Sequence, residues 1–214
     1  MLPRLPRNAP GGWAVSRVPP MQAFLAHVAR YVTLPPAEEA ALLAAARPTT
    51  YAKGDFLSRA GEVSRDYAWI AEGAVRTYYP AEDGTDHVVA FGIANYWIGD
   101  LGSLISGRPA DFSVQFLAET AVVRLSTADV HRLYDEAPMV ERFFRLITQN
   151  AYVAAQRRIV RNFSLPAKER YVLFVEEHAD IAQQVPLYMI ASYLGITKEF
   201  LSSIRGQLAR EGRG

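Results

Sequence analysis

At 214 residues, half of them hydrophobic, the chain is long enough for one large domain or two small ones with a true apolar core, and its lack of cysteine excludes disulfides, thiolate catalysis and thiol redox sensing. No apolar run approaches the roughly 20 residues of a membrane span and no signal-peptide pattern opens the chain, so a cytoplasmic protein without membrane partners is expected. The net charge of +1 hides an acidic middle, with 9 Lys and Arg against 15 Asp and Glu over residues 21–138, and a basic end, 11 against 7 over residues 139–214, which points the C-terminal part towards a polyanion.

Residues 1–20 carry Pro3, Pro6, Pro10, Pro19, Pro20, Gly11 and Gly12 without periodicity. They are expected to form a disordered basic tail, since they bury too little apolar surface to offset ordering entropy. Residues 21–47 predict two short helices, the second opening on Pro36 with Glu38 and Glu39 in its first turn. From Thr49 to Leu125 the signals become those of strands: Thr49–Tyr51, Tyr67–Ile70, Val75–Tyr79, His87–Phe91, Ser113–Leu117 and Ala121–Leu125. Turn residues Gly54, Gly73 and Asp83-Gly84 separate the earlier ones. Many short strands at this spacing predict a jelly-roll barrel, and residues 21–138 are assigned to it as a sensor domain.

Ser126 is placed to cap a short helix that ends at Pro138. A long helix follows over residues 139–164, on the order of 40 Å at about 1.5 Å per residue. Val140, Phe143, Phe144, Ile147, Ala151 and Ala154 form an apolar seam with Asn150 set into it. Such a helix outruns a small barrel, so residues 139–165 are assigned to dimerisation through Phe143, Ile147, Asn150 and Ala154, with Asn150 fixing the register.

Residues 187–205 predict two short helices around a tight turn. Ile190, Ala191 and Leu194 share a face of the first. Gly195 suits a left-handed turn position because it has no Cβ. Thr197 caps the second helix, whose inner face is Leu201, Ile204 and Leu208. Residues 166–214 therefore read as a helix-turn-helix domain for double-stranded DNA. With those three residues inward, Lys198, Glu199, Ser202, Ser203 and Arg205 turn outward beside Thr197 as the DNA-binding set. A ligand-binding module whose degenerate helix-turn-helix serves protein contacts is the alternative reading.

The run Ile190-Ala191-Ser192-Tyr193-Leu194-Gly195-Ile196-Thr197-Lys198-Glu199 resembles the helix-turn-helix of the Crp/Fnr transcription regulators, in a short variety ending just after the recognition helix. Ala71-Glu72-Gly73-Ala74-Val75-Arg76 resembles the first hairpins of that family's cyclic-nucleotide-binding-like barrel. The resemblance spans about residues 21–210. It implies an α+β architecture of barrel, dimerisation helix and helix-turn-helix, acting as a homodimer on DNA, with RNA polymerase as a further partner. It also implies that Lys198 contacts DNA, that Glu199 accepts from a cytosine amino group, and that Ser203 stands where many relatives carry a guanine-reading Arg, a role left to Arg205.

In nucleotide-binding relatives a Gly-Glu pair and a downstream Arg-Ser or Arg-Thr pair hold the ribose and cyclic phosphate. Here Gly99 matches, Asp100 replaces Glu, and Ala110-Asp111-Phe112-Ser113 supplies no Arg; Arg108 is the nearest cation. Cyclic AMP is therefore not the expected effector. Tyr96, Trp97, Gly99, Asp100, Arg108, Phe112 and Ser113 are the candidate lining for an unknown one. His27, His87, His131 and His178 are scattered, and no phosphate loop or nucleophile elbow appears. No catalytic residue, metal ligand or cofactor is assigned, and the chain is read as a regulator rather than an enzyme.

Overall fold

The computed structural model describes residues 19–211; the proposed tail falls almost wholly outside that range. Helices α1 (Pro20–Val28) and α2 (Pro36–Ala45) each begin on a proline, whose missing N–H costs nothing in a first turn. The strands that follow are β1 (Arg47–Tyr51), β2 (Phe56–Ser58), β3 (Asp66–Glu72), β4 (Ala74–Pro80), β5 (Asp86–Ile93), β6 (Trp97–Ile98), β7 (Ser113–Phe116) and β8 (Thr120–Ser126), with helix α3 (Leu101–Ser106) between β6 and β7. They form two antiparallel four-stranded sheets, β1-β8-β3-β6 and β2-β7-β4-β5. The expected jelly-roll-type barrel is present. Strands β2 and β6 and helix α3 were not anticipated, because at 3, 2 and 6 residues they are too short to show a period.

Alternation along the strands sorts the core into layers. Ala68, Ile70 and Val122 meet Val75, Val114 and Phe116 inside the barrel. Their neighbours Tyr67, Trp69, Val123 and Leu125 pack against Phe24, Val28, Val130, Leu133, Val140 and Phe143 from the helices. Gly73 turns β3 into β4 at φ +100°, and a Cβ there would stand 2.7 Å from the Glu119 carbonyl oxygen. Both facts demand glycine.

Helix α4 (Thr127–Glu136) is capped as predicted, with Ser126 Oγ accepting from Asp129 N–H at 3.0 Å. Helix α5 (Pro138–Ser164) runs 27 residues and corrects the dimerisation seam. Phe143 is 0% exposed within the barrel's own core, and Ile147 is half-buried against the same cluster. The seam read from sequence is thus covered at its N-terminal end by α1 and the barrel. Asn150 and Ala154 lie beyond that cover and are exposed. Helices α6 (Ala167–Glu177), α7 (Ala179–Gln184), α8 (Leu187–Leu194) and α9 (Lys198–Glu211) complete the described chain. Among the described residues no helix is long and apolar enough to cross a membrane.

Candidate nucleic-acid interface

Helices α8 and α9 make the predicted helix-turn-helix. Gly195 ends α8 in the left-handed region at φ 67°. Thr197 Oγ accepts from Phe200 N–H at 3.1 Å and starts α9. Leu201 and Ile204 are 0% and 3% exposed, and Leu201 closes a core with Ile190, Ala191 and Leu194 from α8 and Phe174 and Ile181 from α6 and α7. Thr197, Lys198, Glu199, Ser202, Ser203 and Arg205 are all exposed among the described residues, so one face of α9 carries the whole set expected from the sequence. Arg170 on α6 braces the motif by donating to the Leu194 carbonyl at 2.8 Å. Lys168 pairs with Glu211 at 2.7 Å and holds the far end of α9.

This domain is docked on the barrel. Strand β5 is the edge of its sheet, and an edge leaves backbone groups unpaired. Ser192 on α8 fills two of them: its Oγ accepts from Val88 N–H at 2.9 Å and donates to the Asp86 carbonyl at 2.8 Å. Arg158 on α5 donates to the Val89 carbonyl and lies over the Tyr193 ring at 4.2 Å. Phe91, Phe174 and Tyr193 close the junction as a ring cluster with centroids 5.2 to 6.2 Å apart. Beneath it Arg76 pairs with Asp86 at 2.8 Å and donates to Gln115 Oε1.

The candidate effector residues do not form one pocket. Trp97 points away from the barrel interior into the helical layer, against Phe24, Phe143 and Phe144, and donates through Nε1 to His27 Nε2 at 3.4 Å. Tyr96, just before β6, and Ile98 pack on the interior cluster, opposite to Trp97, so Tyr96 and Trp97 do not line the same cavity. Arg108 is exposed, and its carbonyl accepts from Ser103 Oγ at 2.6 Å. Ser113 is 5% exposed and accepts from Ala60 N–H at 3.0 Å.

Asp100 occupies the centre of the cassette. Following Gly99 at φ +144°, it is 5% exposed. One carboxylate oxygen accepts from Ser103 N–H at 2.9 Å, and the other from Asp111 and Phe112 N–H at 3.0 and 3.1 Å. Three backbone donors that suit an anion are thus satisfied by the chain's own carboxylate.

The C-terminal half of α5 carries an exposed apolar strip beside Arg158. Tyr152, Val153, Ile159, Val160 and Phe163 are 65%, 40%, 55%, 61% and 88% exposed, and a shallow groove runs past Val153, Gln156, Arg157, Val160 and Arg161. Val153, Gln156, Val160 and Phe163 follow the three-four spacing of a coiled-coil seam. That phase differs from the one first read, and Leu146 and Gln149 extend it upstream.

The architecture is a jelly-roll-type barrel, a long connecting helix and a C-terminal helical domain. Residues 48–137 match the family described as the cyclic nucleotide-binding domain. FixK2 from Bradyrhizobium japonicum superposes with a TM-score of 0.69 at 22% identity, over 78% of this chain and 86% of that one. CLP of Xanthomonas campestris, a c-di-GMP-responsive global regulator, gives 0.68 at 14%, over 82% and 92%. The catabolite activator protein of Thermus thermophilus gives 0.52 at 18%, over 85% and 87%. No curated protein matches the sequence. The chain as a whole thus shares the fold of these solved structures, a cyclic-nucleotide-binding-type barrel followed by a long helix and further helices.

Proposed function

We propose that this protein is a transcription regulator that binds DNA sequence-specifically as a homodimer, with α9 in the major groove. The observation that carries the reading is the sorting of α9: Leu201 and Ile204 are buried while Lys198, Glu199, Ser202, Ser203 and Arg205 are exposed together. A helix docked in the groove needs one face anchored in its own domain and the other free to reach base edges. The C-terminal half of α5 supplies the dimer seam, because a wide apolar strip on a long helix is covered at low cost by a second copy of itself. Two protomers then present two α9 helices to half-sites about one helical turn, roughly 34 Å, apart.

The barrel serves as a sensor for an effector other than a cyclic nucleotide. Asp100 already holds the N–H groups of Ser103, Asp111 and Phe112. A cyclic phosphate arriving there would meet a buried carboxylate rather than a bidentate guanidinium. Calorimetric titration with cyclic AMP and cyclic GMP is expected to show no binding, and micromolar affinity would overturn this part.

Selection of bound sequences from random duplex DNA, followed by retention at moderate salt, tests the function itself. Enrichment of a palindrome with half-sites one turn apart is expected. A wild-type protein that enriches no sequence would remove α9 from the role given to it.

A further inference from the structure

Phe200 belongs to no part of the structural core, yet it is 51% exposed on the first turn of α9. Its backbone is held there by the hydrogen bond from its N–H to Thr197 Oγ, so the ring projects from a fixed point rather than a fraying end. An exposed apolar residue is ordinary on most surfaces. This one stands on the turn that reaches furthest into the groove.

Successive residues on a helix are rotated by about 100°. Lys198 and Phe200 therefore flank Glu199 on opposite sides. On the Phe200 side the next exposed residue, Ser203, is short and leaves the ring room, while Ile204 behind it is buried. Glu199 and Phe200 are thus neighbours on the first turn of α9, with Lys198 on the opposite flank of Glu199. The major groove offers a phosphate rail, base-edge donors such as the cytosine amino group, and one apolar feature, the thymine C5-methyl. The first two features match Lys198 and Glu199. We propose that Phe200 reads a thymine methyl next to the base read by Glu199, giving the protein an apolar specificity contact in a helix that carries Ser203 in place of a guanidinium reader. The proposal deepens the DNA-reading function above and rests on it.

The test exchanges thymine for uracil, which removes only the methyl group, one position at a time in the selected operator. Wild type is expected to lose about fourfold in affinity at one thymine per half-site, the worth of burying one methyl group. Phe200→Ala is expected to bind uracil and thymine operators equally at that position. Because Phe200 is exposed, the variant should keep the wild-type melting temperature and oligomeric state, which are measured alongside. If no uracil exchange weakens wild type, or if Phe200→Ala shows the same loss at the same thymine, the contact does not exist. Failure of wild type to retain any duplex is a different result and overturns the DNA-reading function instead.

Discussion

His27 is 3% exposed, ringed by Tyr31, Trp69 and Phe143, and receives Trp97 Nε1–H on its Nε2. Burial holds its imidazole down at about 4, with Arg30 adding to the effect and the Asn95 side chain opposing it. The folded protein therefore keeps His27 neutral at pH values where the unfolded chain, near 6.5, takes up a proton. Stability from this group is whole above pH 6.5 and is lost as the pH falls towards 4, by roughly 2–3 kcal/mol. His178, also lowered chiefly by burial, acts in the same direction. Urea midpoints measured from pH 7 down to pH 4.5 should show this fall, and His27→Gln, which does not titrate, should flatten it. At the interface the residue-scale prediction is different in kind. Glu199→Ala should relax base preference at one position per half-site. Lys198→Ala should weaken binding to all sequences and reduce the slope of log affinity against log salt by about one if it neutralises a phosphate. Selection and a salt titration with the two variants check both, and a double variant retaining wild-type affinity and selectivity would place the DNA surface elsewhere.

At the scale of elements, α5 carries two faces that substitution separates. Ile147 is packed on the barrel cluster, so Ile147→Asp sets a carboxylate against the protomer's own core and should lower the melting temperature. Val160 is 61% exposed and lies on the three-four seam. Val160→Asp would bury two unpaired carboxylates in a dimer, on the order of 2–4 kcal/mol each, and should give a folded monomer by sedimentation. A Val160→Asp protein that stays dimeric would move the interface off this helix. The same helix shows what a sequence reveals and what it hides. Its length and its stop before Pro166 are local properties, and so are the Gly195 turn and the Thr197 cap, which is why these were legible. The choice of covered face was not, because Val140, Phe143, Phe144 and Ile147 are as apolar as a dimer seam and only the placement of α1 and the barrel decides who covers them. Likewise Trp97 reads as a pocket aromatic until the pairing of β6 with β3 fixes which way it points. The self-occupied cassette was half visible: Asp100 in place of Glu was noted, but its reach to the Asp111 and Phe112 N–H groups depends on tertiary geometry.

For the whole molecule, the decisive contact is the docking of the helix-turn-helix on the barrel's edge strand. One sequence signal marks it, the polar Ser192 within the apolar run Ile190-Ala191-Ser192-Tyr193-Leu194, with Arg158 as its companion on α5. Dimeric DNA reading requires the two α9 helices to be held at one spacing and angle. A domain tethered only through α6 would sample many. On the proposed function, docking through Ser192, Arg158 and the Phe91–Phe174–Tyr193 cluster would remove that freedom before DNA arrives and so lower the ordering cost of binding. Ser192→Ala removes both of its part-buried hydrogen bonds to the edge strand, at about 1 kcal/mol each, and so favours undocking. The double variant Ser192→Ala, Arg158→Ala should therefore bind a full two-half-site operator about tenfold more weakly, a loss of about 1.4 kcal/mol, while its affinity for a single half-site stays unchanged. Titration of both duplexes in parallel separates the loss of preorganisation from damage to α9, since damage would weaken the half-site equally. A gain in affinity for the full operator would identify the docked arrangement as the state that DNA binding must open.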